Sequence, residues 1–139
     1  MDNVKINKKY NVSMAQKIEL WNLERLKPYE KNAREHSPEQ VAQIAASITE
    51  FGFLNPILVD SKDGIIAGHG RLSASKELAL DVVPVVVLDH LSEAQKKAYI
   101  LVDNKLAENA SWNEELLQEE IVALNLQDFD ISILGWDED

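Results

Sequence analysis

The residues with the clearest chemical potential lie in one short stretch, Gly64-Ile65-Ile66-Ala67-Gly68-His69-Gly70-Arg71. Three glycines, a histidine and an arginine fall where an apolar run ends and a helix-like run begins. A strand, a glycine-rich turn and a helix in that order gather backbone N–H groups at a helix N-terminus. Those unpaired donors and the positive end of the helix dipole favour an anion, a phosphate above all. Gly68 and Gly70 have no Cβ, so backbone and guest can approach closely. Arg71 offers a two-pronged guanidinium to phosphate oxygens. A cation at that end of a helix opposes the dipole, and its company of glycines points to an anion seated between. The same residues also suit a plain tight turn with Arg71 in solvent. The spacing matches neither the eight-residue phosphate loop ending in Gly-Lys-Ser/Thr nor the dinucleotide fingerprint.

The elements that must position this turn read as follows. Residues 18–23 alternate loosely and suit a strand. Ser37-Pro38-Glu39-Gln40 is a capping box with proline in the first helical position. Val41, Ile44, Ile48 and Phe51 then share one face, and Gly52 ends the helix. Residues 56–60 and 64–67 flank a turn sequence and predict a β-hairpin. Residues 71–80 read as helix. Residues 82–89 are β-branched and read as a strand, with Pro84 placing its start there or the strand at a sheet edge. Strand, helix and strand over this span make a β-α-β unit. Ser92 to Gln95 is a second capping box, opening a helix to about Ala110. Ser111 to Glu114 reads as a third, opening a helix through about Leu126. An apolar tail from Phe129 to Trp136 is expected to pack back on the core.

Length and composition bound the rest. The chain has 139 residues, 45% of them hydrophobic, enough for one core. The expected division is a core over 1–90 carrying the turn and an acidic helical extension over 91–139 completing the same domain. No apolar run approaches the length of a membrane span and the start does not resemble a signal peptide, so a cytoplasmic protein without membrane contact is expected. There are no cysteines, which excludes disulfides, thiolate metal sites and cysteine nucleophiles. The net charge of −10 is uneven: residues 91–139 carry 12 acids against three lysines, residues 1–36 eight bases against five acids. The acidic half should repel DNA, so any polyanion contact belongs on residues 1–90. Tyr29 beside Lys27, Lys31 and Arg34 is the best candidate for it. His36 and His90 read as surface residues, and Trp21, Trp112 and Trp136 as packing residues.

Taken together, these stretches resemble the ParB/sulfiredoxin-like superfamily, and more closely the short ParB-like domains of phage and mobile elements. Asn32-Ala33-Arg34, Gly52-Phe53-Leu54-Asn55-Pro56-Ile57, Gly68-His69-Gly70-Arg71 and Asp103-Asn104-Lys105 stand in the family's motif order. The resemblance covers roughly residues 16–126. It implies an α+β fold: a small mixed sheet with packed helices, followed by a C-terminal helical pair. It also implies a nucleotide site. Gly68, Gly70 and Arg71 would cradle the phosphates of a nucleoside triphosphate, ATP or CTP. His69 would donate to phosphate or act as a general acid/base, since it alone among these side chains titrates near neutrality. Asp103 would be a magnesium carboxylate, Asn104 a supporting ligand, and Arg34 would close over the phosphates from the N-terminal loop.

The departures narrow the implication. Sulfiredoxin chemistry needs a cysteine where His69 stands, and is excluded. Against partition proteins, His69 replaces a glutamate, Gly70 and Ser73 replace arginines, and the following helices are acidic where a helix-turn-helix domain normally comes. Three functions are therefore expected in descending order. The first is a nucleotide-binding domain, with or without slow hydrolysis, in DNA partition, DNA modification or phage DNA metabolism, contacting DNA through residues 1–90 or through a partner such as a DNA methyltransferase. The second is a metal-dependent nuclease, which wants two or more carboxylates where only Asp103 stands out over Asp60, Asp63 and Asp89. The third is a non-catalytic interaction module with a vestigial pocket.

Overall fold

The computed structural model describes residues 4–7, 12–32 and 35–136. Its elements run β1 (Val4–Asn7), β2 (Val12–Ala15), β3 (Glu19–Asn22), α1 (Pro38–Phe51), β4 (Ile57–Val59), β5 (Ile65–Ala67), α2 (His69–Glu77), β6 (Val82–Val87), α3 (Glu93–Asn109) and α4 (Glu114–Leu126), with short 3-10 turns at Leu23–Arg25 and Ile131–Leu134. β1 and β2 form a separate antiparallel hairpin, an element with no counterpart in the sequence reading. The other four strands make one mixed sheet in the order β3-β6-β4-β5. The fold is α+β, as expected.

Helix starts follow the local code. Ser37 Oγ accepts the Gln40 amide at 3.1 Å while Gln40 Oε1 accepts the Ser37 amide at 3.2 Å, so two orphan donors are satisfied by one box. Ser92 and Gln95 repeat the device at α3. The expected third box is not there. α4 starts instead from Asn113, whose side chain accepts the Leu116 amide, because the helix begins two residues later than a Ser111 cap requires.

Pro84 needs a correction as well. β6 is an inner strand, flanked by β3 and β4, not an edge. Pro84 pairs with Leu20 of β3, but the parallel ladder to β4 begins only at Val85. The missing N–H therefore falls where the strand has a neighbour on one side alone, and the sheet tolerates it. The parallel pair is β4 and β6; β5 is antiparallel to β4, so β5 and β6 do not form a parallel β-α-β unit.

Ile57, Val59, Ile65, Val83, Val85 and Leu72 fill the space between sheet and helix, with Trp21 closing one end and Arg25 stacked 3.6 Å over its ring. A smaller cluster joins α1 to α2 through Val41, Ala45 and Ala74. The small side chains of Ala45, Ala74 and Ser75 let these helices approach, and the buried Ser75 hydroxyl donates to the Arg71 carbonyl at 2.6 Å. The tail does fold back: Phe129 stacks on Phe51 and the last 3-10 turn touches α1, while Trp112 and Trp136 meet edge to face at 5.0 Å.

Ile57 is fully buried, and its Cγ1 lies beneath the glycine turn. Ile57→Ala is expected to cost about 2–5 kcal/mol of unfolding free energy, measured by urea denaturation, from lost transfer energy and the cavity left behind.

Candidate anion-binding site

The turn forms where β5 ends. Gly68 caps α2 with φ of +112°, a conformation that penalises any residue with a Cβ. A Cβ there would also stand 3.1 Å from Ile57 Cγ1 and from Arg71 Nη2. At Gly70 it would stand 2.9 Å from Ile44 Cδ1 of α1 and 3.0 Å from His36 Cε1. The room that the two glycines leave is thus filled by protein, not held open for a guest as the sequence reading had it. They form the start of the first turn of α2, whose amides have no intrahelical acceptor and no side-chain cap.

Arg71 is half-buried and folds back over Gly68. Its Nη2 donates to the Pro56 carbonyl at 3.2 Å, tying the glycine-arginine turn to the Gly52–Ile57 motif. Its Nε is buried with no hydrogen-bond partner. Burial lowers the Arg71 pKa and the nearby Asp103 carboxylate opposes that shift, but a guanidinium keeps its charge throughout. A buried, charged donor without a partner is costly, about 1–3 kcal/mol or more. An incoming oxygen would relieve it.

A pocket of about 140 Å³ opens here. The turn from Gly68 to Arg71 forms one side, Asp103 and Asn104 of α3 another, and Asn32 and His36 of the loop before α1 a third. Residues far apart in the chain converge because β4 and β5 form a hairpin and α3 packs along β5 through the buried Ile100. Asp103 is exposed and accepts only a long hydrogen bond from Tyr99, 3.4 Å. Asn104 donates its amide to the Ile100 carbonyl at 2.7 Å, which leaves its oxygen for other use. Arg34 lies outside the described residues.

His69 stands in this pocket with a definite protonation state. Its Nε2 accepts the Tyr29 backbone N–H at 3.0 Å, so that nitrogen carries a lone pair and the proton sits on Nδ1. Burial lowers its pKa and His36 adds to the shift. This arrangement supplies a neutral donor, and the lone pair needed for a general base is already engaged. His36, read as a surface residue, is half-buried against Gly70 and lines the pocket. His90 is exposed, as expected. Asp60 and Asp63 are turned elsewhere, Asp60 to Lys96 at 3.0 Å and Asp63 to Arg25 at 3.2 Å, and Asp89 is exposed outside the pocket.

Asp60 anchors α3. It accepts the amides of Lys62 and Gly64 as well as Lys96 Nζ, on side chains only 16% and 13% exposed. Burial alone would raise its pKa, but the hydrogen bonds outweigh that and hold it below the usual carboxylate range.

Residues 7–105 match the ParB N-terminal domain family. The chain belongs to that family. ParB-like relatives include the ParB-like nuclease domain-containing protein YnaK of Escherichia coli K12, 55% identical over 75 residues that cover 54% of this chain and 86% of YnaK. Among solved structures, the C-terminally truncated ParB of Caulobacter crescentus in complex with CTP-γ-S superposes with a TM-score of 0.65 at 26% identity, covering 81% of this chain and 66% of that one. Sulfiredoxin of Arabidopsis thaliana shares the fold, with a TM-score of 0.51 at 17% identity over 61% of this chain and 98% of its own. The chain spans only 24–31% of the length of the chromosome-partitioning ParB proteins it matches. The ParB/sulfiredoxin-like fold expected from the motifs is the fold observed.

Two outcomes follow for this ParB-like site. Gly68→Ala should destabilise by about 1–3 kcal/mol, read from thermal unfolding, because it must leave the left-handed region and displace Arg71. Because the Asp60 pKa is lowered on folding, its stabilisation should be complete at neutral pH and decline as pH falls below the ordinary carboxylate range. Lys96→Met should flatten that acid limb in a pH series of urea midpoints.

Proposed function

We propose that the chain binds a nucleoside triphosphate, with its phosphates at the Gly68–Arg71 turn. The observation that carries this reading is the half-buried Arg71 guanidinium, set beside the side-chain-uncapped first turn of α2 in one pocket with Asp103 and Asn104. The CTP-γ-S complex of the Caulobacter ParB supports the ligand class. The pocket itself is too small for a whole nucleotide, whose sites usually run from about 300 Å³ upward. A hollow of about 570 Å³ adjoins it, sharing His36, Ile44 and Arg71. We place the nucleoside there, where Asn55, Gln40 and Gln43 offer amides that can read base edges.

In this reading Arg71 and the α2 amides orient phosphate oxygens, the Nδ1–H of His69 donates to them, and Asn104 offers its side-chain oxygen to a cation. Arg34, by its place in the motif, closes from the loop. A magnesium ion fits the donor set, because this cation is commonly held by one or two carboxylates together with substrate phosphates. Asp103 would hold it. Such an ion would supply charge neutralisation between phosphates. With the Nε2 lone pair of His69 taken, binding rather than rapid hydrolysis is the activity the residues serve, and slow turnover remains a separate measurement. A nuclease wants a second carboxylate, and among the described residues no cluster of three or more His, Cys, Asp or Glu is placed to hold a metal.

The part the nucleotide plays is proposed to be in DNA partition, modification or phage DNA metabolism, with DNA met through residues 1–90 or through a partner protein such as a methyltransferase. No helix among the described residues is long and apolar enough to cross a membrane.

Titration calorimetry with the four triphosphates, with and without magnesium, tests the proposal. Micromolar binding of at least one, weakened 50-fold or more by Arg71→Ala and losing its magnesium dependence in Asp103→Asn, is the expected result. Heat-silent titrations with all four would refute it and favour an interaction module with a vestigial pocket.

A further inference from the structure

The connection between β3 and α1, described over residues 27–32 and 35–37, lines the pocket through Asn32 and His36, and its fastening is chemically unusual. Its start is held by backbone bonds, Lys27 N–H to the Asp63 carbonyl at 2.9 Å and Ile65 N–H to the Lys27 carbonyl at 2.8 Å. Its end is held by the Ser37 capping box. Between these anchors, the Tyr29 amide donates to a titratable side chain, His69 Nε2, at 3.0 Å. A backbone carbonyl in that place would hold at any pH. An imidazole holds only while neutral, since the imidazolium has N–H on both nitrogens and no acceptor.

We propose that the Tyr29–His69 bond is a proton-operated latch: neutral His69 fastens the Lys27–Asn32 segment to the glycine turn, and protonated His69 releases it. The surroundings set its direction. His36 on the loop and Arg71 on the same helix oppose a second positive charge, whereas Asp103 on α3 favours it. α1 presents Ile44 and β5 presents Ile66 and Ala67, none of them charged. Lys27, Glu30 and Lys31 lie exposed on the loop outside this pocket. Burial and His36 together keep His69 neutral to a lower pH than a free histidine. The latch is therefore closed at neutral pH and opens below about 6.5, the ordinary histidine value. A histidine in this position differs from the glutamate of partition proteins, which could not change charge in that range.

One consequence rests on the anion reading above. A polyanion at the turn favours the imidazolium, so binding should draw a proton onto His69 and loosen the loop, and by reciprocity acid should strengthen polyanion binding.

The latch itself is tested without any ligand. Amide exchange of Tyr29 in the full 15N-labelled chain, corrected for intrinsic rates and referenced to the Val85 amide, should show an opening constant that rises roughly tenfold per pH unit below the midpoint. His69→Gln keeps a carbonyl acceptor that does not titrate and should give a flat profile. His36→Asn should move the midpoint upward. A flat wild-type profile between pH 7.5 and 5.0, or a slope that persists in His69→Gln, overturns the latch. The coupling is tested with inorganic pyrophosphate at pH 7 by calorimetry in two buffers of different ionisation enthalpy. Proton uptake in the wild type that exceeds that of His69→Gln supports it, and equal uptake in the two overturns it. If pyrophosphate fails to bind, the anion reading and the coupling fall, while the exchange profile still decides the latch.

Discussion

One guanidinium lying across a residue without a side chain holds this site together. Arg71 folds over Gly68 and donates to the Pro56 carbonyl, joining the last turn before α2 to the lead-in of β4. That closure works only with Gly68 in the left-handed region and with no Cβ between the guanidinium and Ile57. It also leaves Arg71 Nε buried and unanswered, one of two such side-chain atoms among the described residues, with Trp21 Nε1. Arg71 is thus both a structural clasp and a charge already oriented beside the pocket.

The electrostatics are local. The chain as a whole carries −10, which would keep a polyanion away. The pocket offsets that charge locally, setting Arg71 and the positive end of α2 against one carboxylate, Asp103. Helix α3 carries Asp103 on its exposed side and Ile100 toward the sheet, so the same element supplies the acid and the packing that aims it. His69, whose pKa is lowered by burial, keeps the charge density moderate. Only the arginine is permanently cationic among the described pocket residues, which suits a pocket that must exist empty as well as filled.

Much of this was legible in the sequence because it is written over short distances. Capping boxes at Ser37 and Ser92 depend on residues three apart, and the glycine turn, the β4–β5 hairpin and Gly52 are likewise local. The start of α2 was read two residues late because glycine and histidine are poor helix formers in isolation; first-turn positions and packing against α1 override that preference. Pro84 was read as marking a strand start or a sheet edge by a rule about missing donors, but the partner ladder's starting point lies on a different strand and cannot be seen from residue 84. Asn113 displaced Ser111 as cap for a similar reason, since both types cap well and tertiary fit selects between them. His36 was passed over because its contact with Gly70 spans more than thirty residues. The Tyr29–His69 bond spans forty. Side-chain identity announces neither. The convergence of Asp103 and Asn104 on the turn was expected only through resemblance, since helical spacing alone gives two exposed polar residues.

The seat of α3 has a mechanical meaning. Lys96 and Asp60 bind the helix near its beginning, while Asp103 rides seven residues further along, roughly 10 Å at helical rise. A rigid rod pivoting at one end magnifies small rotations, and about ten degrees at the fulcrum would carry the carboxylate nearly 2 Å. The distance between acid and arginine is therefore set in part from a remote ion pair, together with the seat of Ile100 on β5.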